Sequence, residues 1–195
     1  MPIVTALRGD RRGRVAVELD GQPWRVLPAE VVVRAGLAEG LTLDRPVLRR
    51  LRRELRRAEA LDVAGRVLRH RDLSRRGLAR RLERAAVAPA AVEESLAALS
   101  RAGFVDDARF ARQRAEALAG RSYGDAAIRY QLERDGIDPA VTAEALDRLE
   151  AEAERARRLV DRRGTGPRTA RYLAGKGFGE DAIETALGAT FGQDV

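Results

Sequence analysis

The 195-residue chain contains no cysteine, which excludes disulfide staples and thiolate metal sites. It has one histidine, His70, set between Arg69 and Arg71. A lone imidazole at a helix end, flanked by cations, has no acid–base partner and reads as a solvated terminal residue. Aromatic residues make up 4% of the chain, so its cores must be built from Leu, Val and Ala, which suits thin helical layers. No apolar run approaches the ~20 residues of a membrane span. The opening MPIVTALRGD has no signal-peptide core. The expectation is a cytoplasmic protein with no membrane partner.

Charge is abundant and unevenly placed. The net charge is +7. Residues 1–57 carry 13 basic and 7 acidic groups, and 58–105 carry 9 and 6. Residues 106–149 carry 7 and 9, and 150–195 carry 8 and 8. The excess therefore lies in the first half, and Lys176 is the only lysine. From Arg49 to Arg84 there are 14 arginines against Glu54, Glu59, Asp62, Asp72 and Glu83. Arg49, Arg52, Arg53 and Arg56 recur at helical spacing, as do Arg75, Arg76, Arg80 and Arg84, with Arg69 and Arg71 between them. A one-sided array of this kind points to phosphates or an acidic protein face. A solvated surface in an arginine-biased proteome is the plainer alternative.

Val15, Val17 and Leu19 alternate with polar residues, Asp20-Gly21 marks a hairpin, and Trp24 and Val26 continue the return strand, with Pro23 confining it to an edge. Together with the run from Ile3 to Leu7 this predicts a three-stranded antiparallel sheet. Pro28-Ala29-Glu30 opens a short helix that ends at Gly36. Asp44 is placed to cap a helix reaching about Arg57, with Val47, Leu48, Leu51 and Leu55 on one face.

The remainder repeats itself. From Leu82, Leu132 and Leu173, five residues on stand Val87, Ile137 and Phe178, and fourteen on stand Leu96, Leu146 and Leu187. Four residues on stand Ala86, Gly136 and Gly177, where a helix C-terminus takes a left-handed residue. The predicted fold is mainly α: tandem three-helix repeats in an elongated stack, preceded by a small α+β module. The expected segments are 1–57 for the module and its linking helix, then repeats at 58–105, 106–149 and 150–195. Helices are expected near 58–71, 75–85 and 89–102, near 107–120, 125–135 and 139–149, and near 151–163, 167–175 and 180–189.

Gly103-Phe104-Val105-Asp106-Asp107-Ala108-Arg109-Phe110-Ala111, and Tyr123-Gly124 through Ile128, Leu132, Gly136 and Ile137, resemble the RecX family, regulators of the bacterial recombinase RecA. Ser74-Arg75-Arg76, with Leu78 and Leu82, also fits. The likeness runs from about Ala58 to Phe191. Gly77 departs from it, standing where the family usually has an acidic residue, as do Asp125 and Ala127, where the family often has proline and a basic residue. A monomer is expected. The resemblance implies docking on RecA filaments on single-stranded DNA, touching DNA directly or through RecA. It implies that such docking limits ATP hydrolysis, strand exchange and co-protease activity in recombination and the SOS response.

The residues themselves support binding over catalysis. Asp106-Asp107 reads as helix capping before Ala108 rather than a metal pair. Gly175-Lys176-Gly177-Phe178-Gly179 follows a helix rather than a strand and lacks the Ser/Thr ending of a phosphate loop. No cofactor and no enzymatic activity are expected. Candidate partner- or DNA-binding residues are the ten arginines named above and Tyr123; the rings of Tyr123, Tyr130 and Tyr172 are of a kind that stacks on bases, with core packing the favoured reading. Tyr130 and Tyr172 flank the repeat leucines and are expected to be half-buried. A DNA-binding protein using helix-turn-helix-like units without RecA is the alternative. The acidic second repeat and the neutral third repeat fit that alternative less well.

Overall fold

The structure is a computed structural model and describes residues 1–191. The last four residues of the expected segment 150–195 lie outside them. The chain divides into two compact units: Met1–Arg71 with Ala79–Arg101, and Asp72–Leu78 with Ala102–Val195.

In the first unit, β1 (Val4–Gly9), β2 (Arg14–Leu19) and β3 (Gln22–Pro28) form an antiparallel sheet in that order. Leu19 pairs with Gln22 across the turn. Asp20 and Gly21 both have positive φ, 48° and 77°, the geometry that makes Asp-Gly a tight hairpin connection. Pro23 lies on the edge strand beside a register shift, where its missing N–H costs nothing. Helix α1 (Ala29–Ala35) closes on Gly36 at φ 67° despite its run of valines. Val31, Val32 and Ala35 are buried with Val4, Val17, Leu27, Leu37, Leu43 and Leu51, so tertiary burial overrides weak helix propensity.

Helix α2 corrects one expectation. It does not end near Arg57 and restart, but runs unbroken over Arg45–Leu68. Asp44 caps it, accepting from the Val47 N–H at 2.8 Å. From Glu54 through Leu61 there is neither Gly nor Pro, and Ala, Glu and Leu favour helix, so nothing in the backbone halts it. The remaining helices are α3 (Arg75–Arg84), α4 (Pro89–Arg101), α5 (Asp107–Gly120), α6 (Asp125–Arg134), α7 (Pro139–Asp147), α8 (Glu152–Arg163), α9 (Pro167–Gly175) and α10 (Glu180–Phe191). In the first unit α4 packs on α2. In the second, α5–α7 and α8–α10 each enclose their own core.

The middle helices of the repeats end alike. The N–H groups of Val87, Ile137 and Phe178 donate to the carbonyls of Leu82, Leu132 and Leu173 at 3.1, 3.0 and 3.2 Å. Between them, Ala86, Gly136 and Gly177 are left-handed, with φ 57°, 84° and 81°. This is one helix-closing motif used three times, and the three leucines are fully buried. Ala86 alone carries a Cβ in that conformation, which is strained. Ala86→Gly should raise the unfolding free energy by about 1 kcal/mol, the order of the left-handed penalty. An unchanged urea midpoint would mean that Ala86 is not left-handed in solution.

Within the second unit the repeats join through one junction used twice. At the first, the Arg75 N–H donates to Asp107 Oδ1 at 2.7 Å, and Ser74 Oγ donates to the Asp135 carbonyl at 2.6 Å. At the second, the Asp125 N–H donates to Glu152 Oε1 at 2.6 Å, and the Gly124 N–H donates to the Lys176 carbonyl at 2.9 Å. Fifty residues separate Ser74 from Gly124 and Arg75 from Asp125, the same step that separates Leu82 from Leu132. Each time, the N-terminus of one middle helix receives a carboxylate from the next repeat and a carbonyl from the C-terminus of that repeat's middle helix. Both acceptors suit the positive end of a helix dipole. The second junction is reinforced by Arg155, 6% exposed. Its guanidinium donates to the Glu150 carbonyl at 3.0 Å, to the Tyr123 carbonyl at 3.1 Å and to the Asp125 carboxylate.

Candidate partner-binding surface

Helix α2 buries Leu51 and half-buries Val47, Leu48 and Leu55. The opposite positions turn outward, and Arg49, Arg52, Arg53 and Arg56 are all exposed. Their spacing of three and four residues sets them along one face. With Ala88, Ala90, Ala91 and Glu94 they line a cavity of about 400 Å³. Its other wall is the first turn of α4, whose N–H groups favour anions. An adjoining cavity of about 450 Å³ is lined by Arg34, Arg53, Glu54, Arg57, Glu94, Ala97 and Arg101.

The arginines of this face are not equivalent. Glu54 is buried, and its Oε1 accepts from Arg53 Nη2 at 3.0 Å. Its Oε2 lies 3.7 Å from Arg57 Nη1. These two arginines neutralise an otherwise costly buried carboxylate. Arg49, Arg52 and Arg56 have no ion-pair partner among the described residues, so their charge faces solvent.

The other candidates are divided between the units. Arg69 and Arg71 are exposed at the end of α2 and beyond it. Arg80 and Arg84 are exposed in the first unit, and Arg84 Nε donates back to the Arg80 carbonyl at 3.2 Å. Arg76 is exposed in the second unit, while Arg75 is half-buried and committed through its backbone to Asp107. Asp106 caps α5 by accepting from the Arg109 N–H at 2.9 Å. The adjacent acids thus cap two different helices.

One of the three tyrosines corrects a second expectation. Tyr123 is half-buried against the α5–α7 core, and Lys176 Nζ sits 4.3 Å from its ring centroid. Tyr172 is half-buried, with the Arg163 guanidinium 3.9 Å from its centroid. Both rings are occupied by cations. Tyr130, expected to be half-buried, is 61% exposed. It stands two residues from both Ile128 and Leu132, about 200° round the helix from each, and so faces away from their stripe. Phe104, which sequence reasoning did not single out as a binding residue, is 63% exposed. The Arg109 guanidinium holds the carbonyls of Gly103 and Phe104 at 3.0 and 3.3 Å. The left-handed Gly103, φ 74°, was its signal in the sequence.

Three-helix units joined by carboxylate-and-carbonyl junctions, preceded by a small α+β module, define a helical-repeat protein. A family model for the second three-helix domain of RecX matches residues 106–146. A regulatory protein RecX of Stenotrophomonas maltophilia (strain R551-3) is 36% identical over 126 residues, spanning 60% of this chain and 77% of that protein. Another, of Acidithiobacillus ferrooxidans (strain ATCC 53993 / BNL-5-31), is 33% identical over 138 residues, spanning 68% and 91%. The fold matches a crystal structure of a regulatory protein RecX with a TM-score of 0.82 at 21% identity, over 94% of this chain and 98% of that one. It also matches RecX from Lactobacillus salivarius with a TM-score of 0.62 at 18% identity, over 69% and 96%. This chain belongs to the RecX family, and the relatives it matches are named regulatory proteins. Among the described residues no helix is long and apolar enough to cross a membrane.

Proposed function

We propose that this protein is a negative modulator of RecA that acts in the cytoplasm as a monomer. It binds RecA filaments on single-stranded DNA and limits ATP hydrolysis, strand exchange and co-protease activity in recombination and the SOS response. It works by occupancy, with no cofactor and no turnover of its own. Repeats at 58–105, 106–149 and 150–195 serve as successive contact modules. Family membership supports this reading, and the row Arg49, Arg52 and Arg56 carries it chemically. Three solvent-facing cations one turn apart beside a helix N-terminus suit a partner rich in phosphate or carboxylate. The test is RecA ATPase activity on single-stranded DNA, with this protein added well below the RecA concentration. Loss of turnover supports the reading, and full activity at equimolar protein sinks it.

The arginine row has its own expected outcome. Arg49, Arg52 and Arg56 changed together to Glu should weaken filament binding and flatten its salt dependence. Every phosphate left without its arginine takes roughly one unit from the slope of log affinity against log salt. Arg53 is left alone because it neutralises Glu54. Melting should barely move, since exposed charges contribute little to folding. Parental affinity and slope in the triple variant would show the row to be only a solvated face.

A further inference from the structure

The two adjoining cavities of the first unit share Arg53 and Glu94 in their linings, so they form one groove between α2 and α4. Arginines reach it from three helices: Arg34 of α1, the α2 row with Arg53 and Arg57, and Arg101 of α4. Arg34 and Arg101 are exposed and, like Arg49, Arg52 and Arg56, have no ion-pair partner among the described residues. Against them stand the buried Glu54 and the exposed Glu94. Between the charges lie Ala88, Ala90, Ala91 and Ala97, and among the described residues neither lining includes an aromatic ring.

We propose that this groove takes an acidic α-helix of a partner polypeptide, laid along α2 with its carboxylates one turn apart. Three observations separate such a helix from a nucleic-acid strand. The first is spacing. Arg49, Arg52 and Arg56 are three and four residues apart, so they recur about every 5.4 Å, once per turn. A helix with Asp or Glu at the same steps has the same repeat and meets each arginine, as the flanking charges of paired helices do. Phosphates along one strand of a duplex follow at roughly 3.4 Å per charge, out of step with the row. The second is the floor. Alanine methyls leave room for the side-chain ridge of another helix. A single strand is held by stacking its bases on aromatic rings, and the groove offers none. The third is Glu94, which lines both cavities. It opposes an unbroken run of phosphates, whereas a helix face answers it with one Lys or Arg among its acids. The arginine forks then bind the carboxylates two bonds at a time.

This inference rests on the filament reading for the partner, RecA, and on the groove for that partner's chemistry. Labelled alanine-based peptides of about 20 residues, long enough to hold a helix in water, are titrated against the full chain by fluorescence anisotropy. One carries Glu in a single row at steps of three and four. A second has the same residues scattered round the helix, and a third has Lys in the row. The Glu row should bind about tenfold tighter than the scattered peptide, the order of one charge-assisted bond. Arg49, Arg52 and Arg56 changed together to Glu should reverse the preference to the Lys row, an exchange that an unfolded chain does not make. Ala90→Gln keeps every charge and fills the floor. It should weaken the Glu row about tenfold without moving the melting temperature, because Ala90 is exposed. Equal affinity for the Glu row and the scattered peptide, or parental affinity in Ala90→Gln, overturns the groove. Displacement of the Glu row by oligo(dT) at matched charge overturns it in favour of a phosphate site. A parent that self-associates in sedimentation and separates when the Glu row is added overturns it in favour of a second copy of this chain. RecA ATPase is read on the same preparations. Inhibition without peptide discrimination leaves the filament reading standing and removes the groove. Discrimination without inhibition keeps the groove's chemistry and removes RecA as its partner.

Discussion

Gly124→Ala should cost about 3–6 kcal/mol of stability, from overpacking together with two disrupted backbone hydrogen bonds. Its backbone is ordinary, with φ −81°, so the difficulty is space rather than conformation. An added Cβ would lie 2.2 Å from the Phe178 nitrogen and 2.3 Å from both the carbon and the oxygen of the Gly177 carbonyl. Those are backbone atoms and cannot rotate aside. Relief requires the second junction to open, losing the bonds from Gly124 to Lys176 and from Ala126 to Gly177. Arg155 and the Asp125 carboxylate would then be only partly paired, which is costly for buried charge. Gly65→Ala provides the contrast. Gly65 lies within α2, and nothing stands within 4 Å of its added Cβ. That change should add up to about 1 kcal/mol through helix propensity. Urea unfolding followed by circular dichroism measures both, and equal midpoints for the two variants would contradict the close approach at the junction.

Leu132→Ala should cost about 2–5 kcal/mol. Leu132 is fully buried among Ala111, Ala115, Leu118, Ile128, Ile137 and Leu146. The hole is bounded by three short helices, and α7 has only nine residues. Helices this short are marginal alone and depend on packing. The loss should appear in the amide exchange of α6 and α7 before that of the α1–β3 module, which belongs to the other unit. A thermal melt matching the parent's would remove Leu132 from the core.

The leucine spacing made the repeats legible because short helices need one stripe each. The left-handed closures were legible because glycine stands at two of the three. The hairpin and the Asp44 cap were written in local chemistry, with donor and acceptor within a few residues. What the sequence concealed is nonlocal. Arg155 meets partners 30 and 32 residues away in Asp125 and Tyr123, with no periodicity to announce it. Asp107 reads locally as part of a cap on its own helix, yet its oxygen serves Arg75, 32 residues earlier. The unbroken α2 was hidden by the repeat itself. Arg57 lies fifty residues before Asp107, so symmetry suggested a helix start where the backbone had no reason to stop. On the arginine face, spacing located the row, but only the burial of Glu54 separates Arg53 and Arg57 from the cations turned outward.

The junctions give the second unit a direction. The repeat built on α6 brings an acceptor carbonyl at the end of its middle helix and donors at the beginning, so its neighbours fit in one order and not in the reverse. Donors facing donors, or carbonyls facing carbonyls, would leave buried backbone groups unpaired. A duplicated repeat therefore arrives with both halves of its joint already encoded. Such an array lengthens by copying, without a new interface having to be invented.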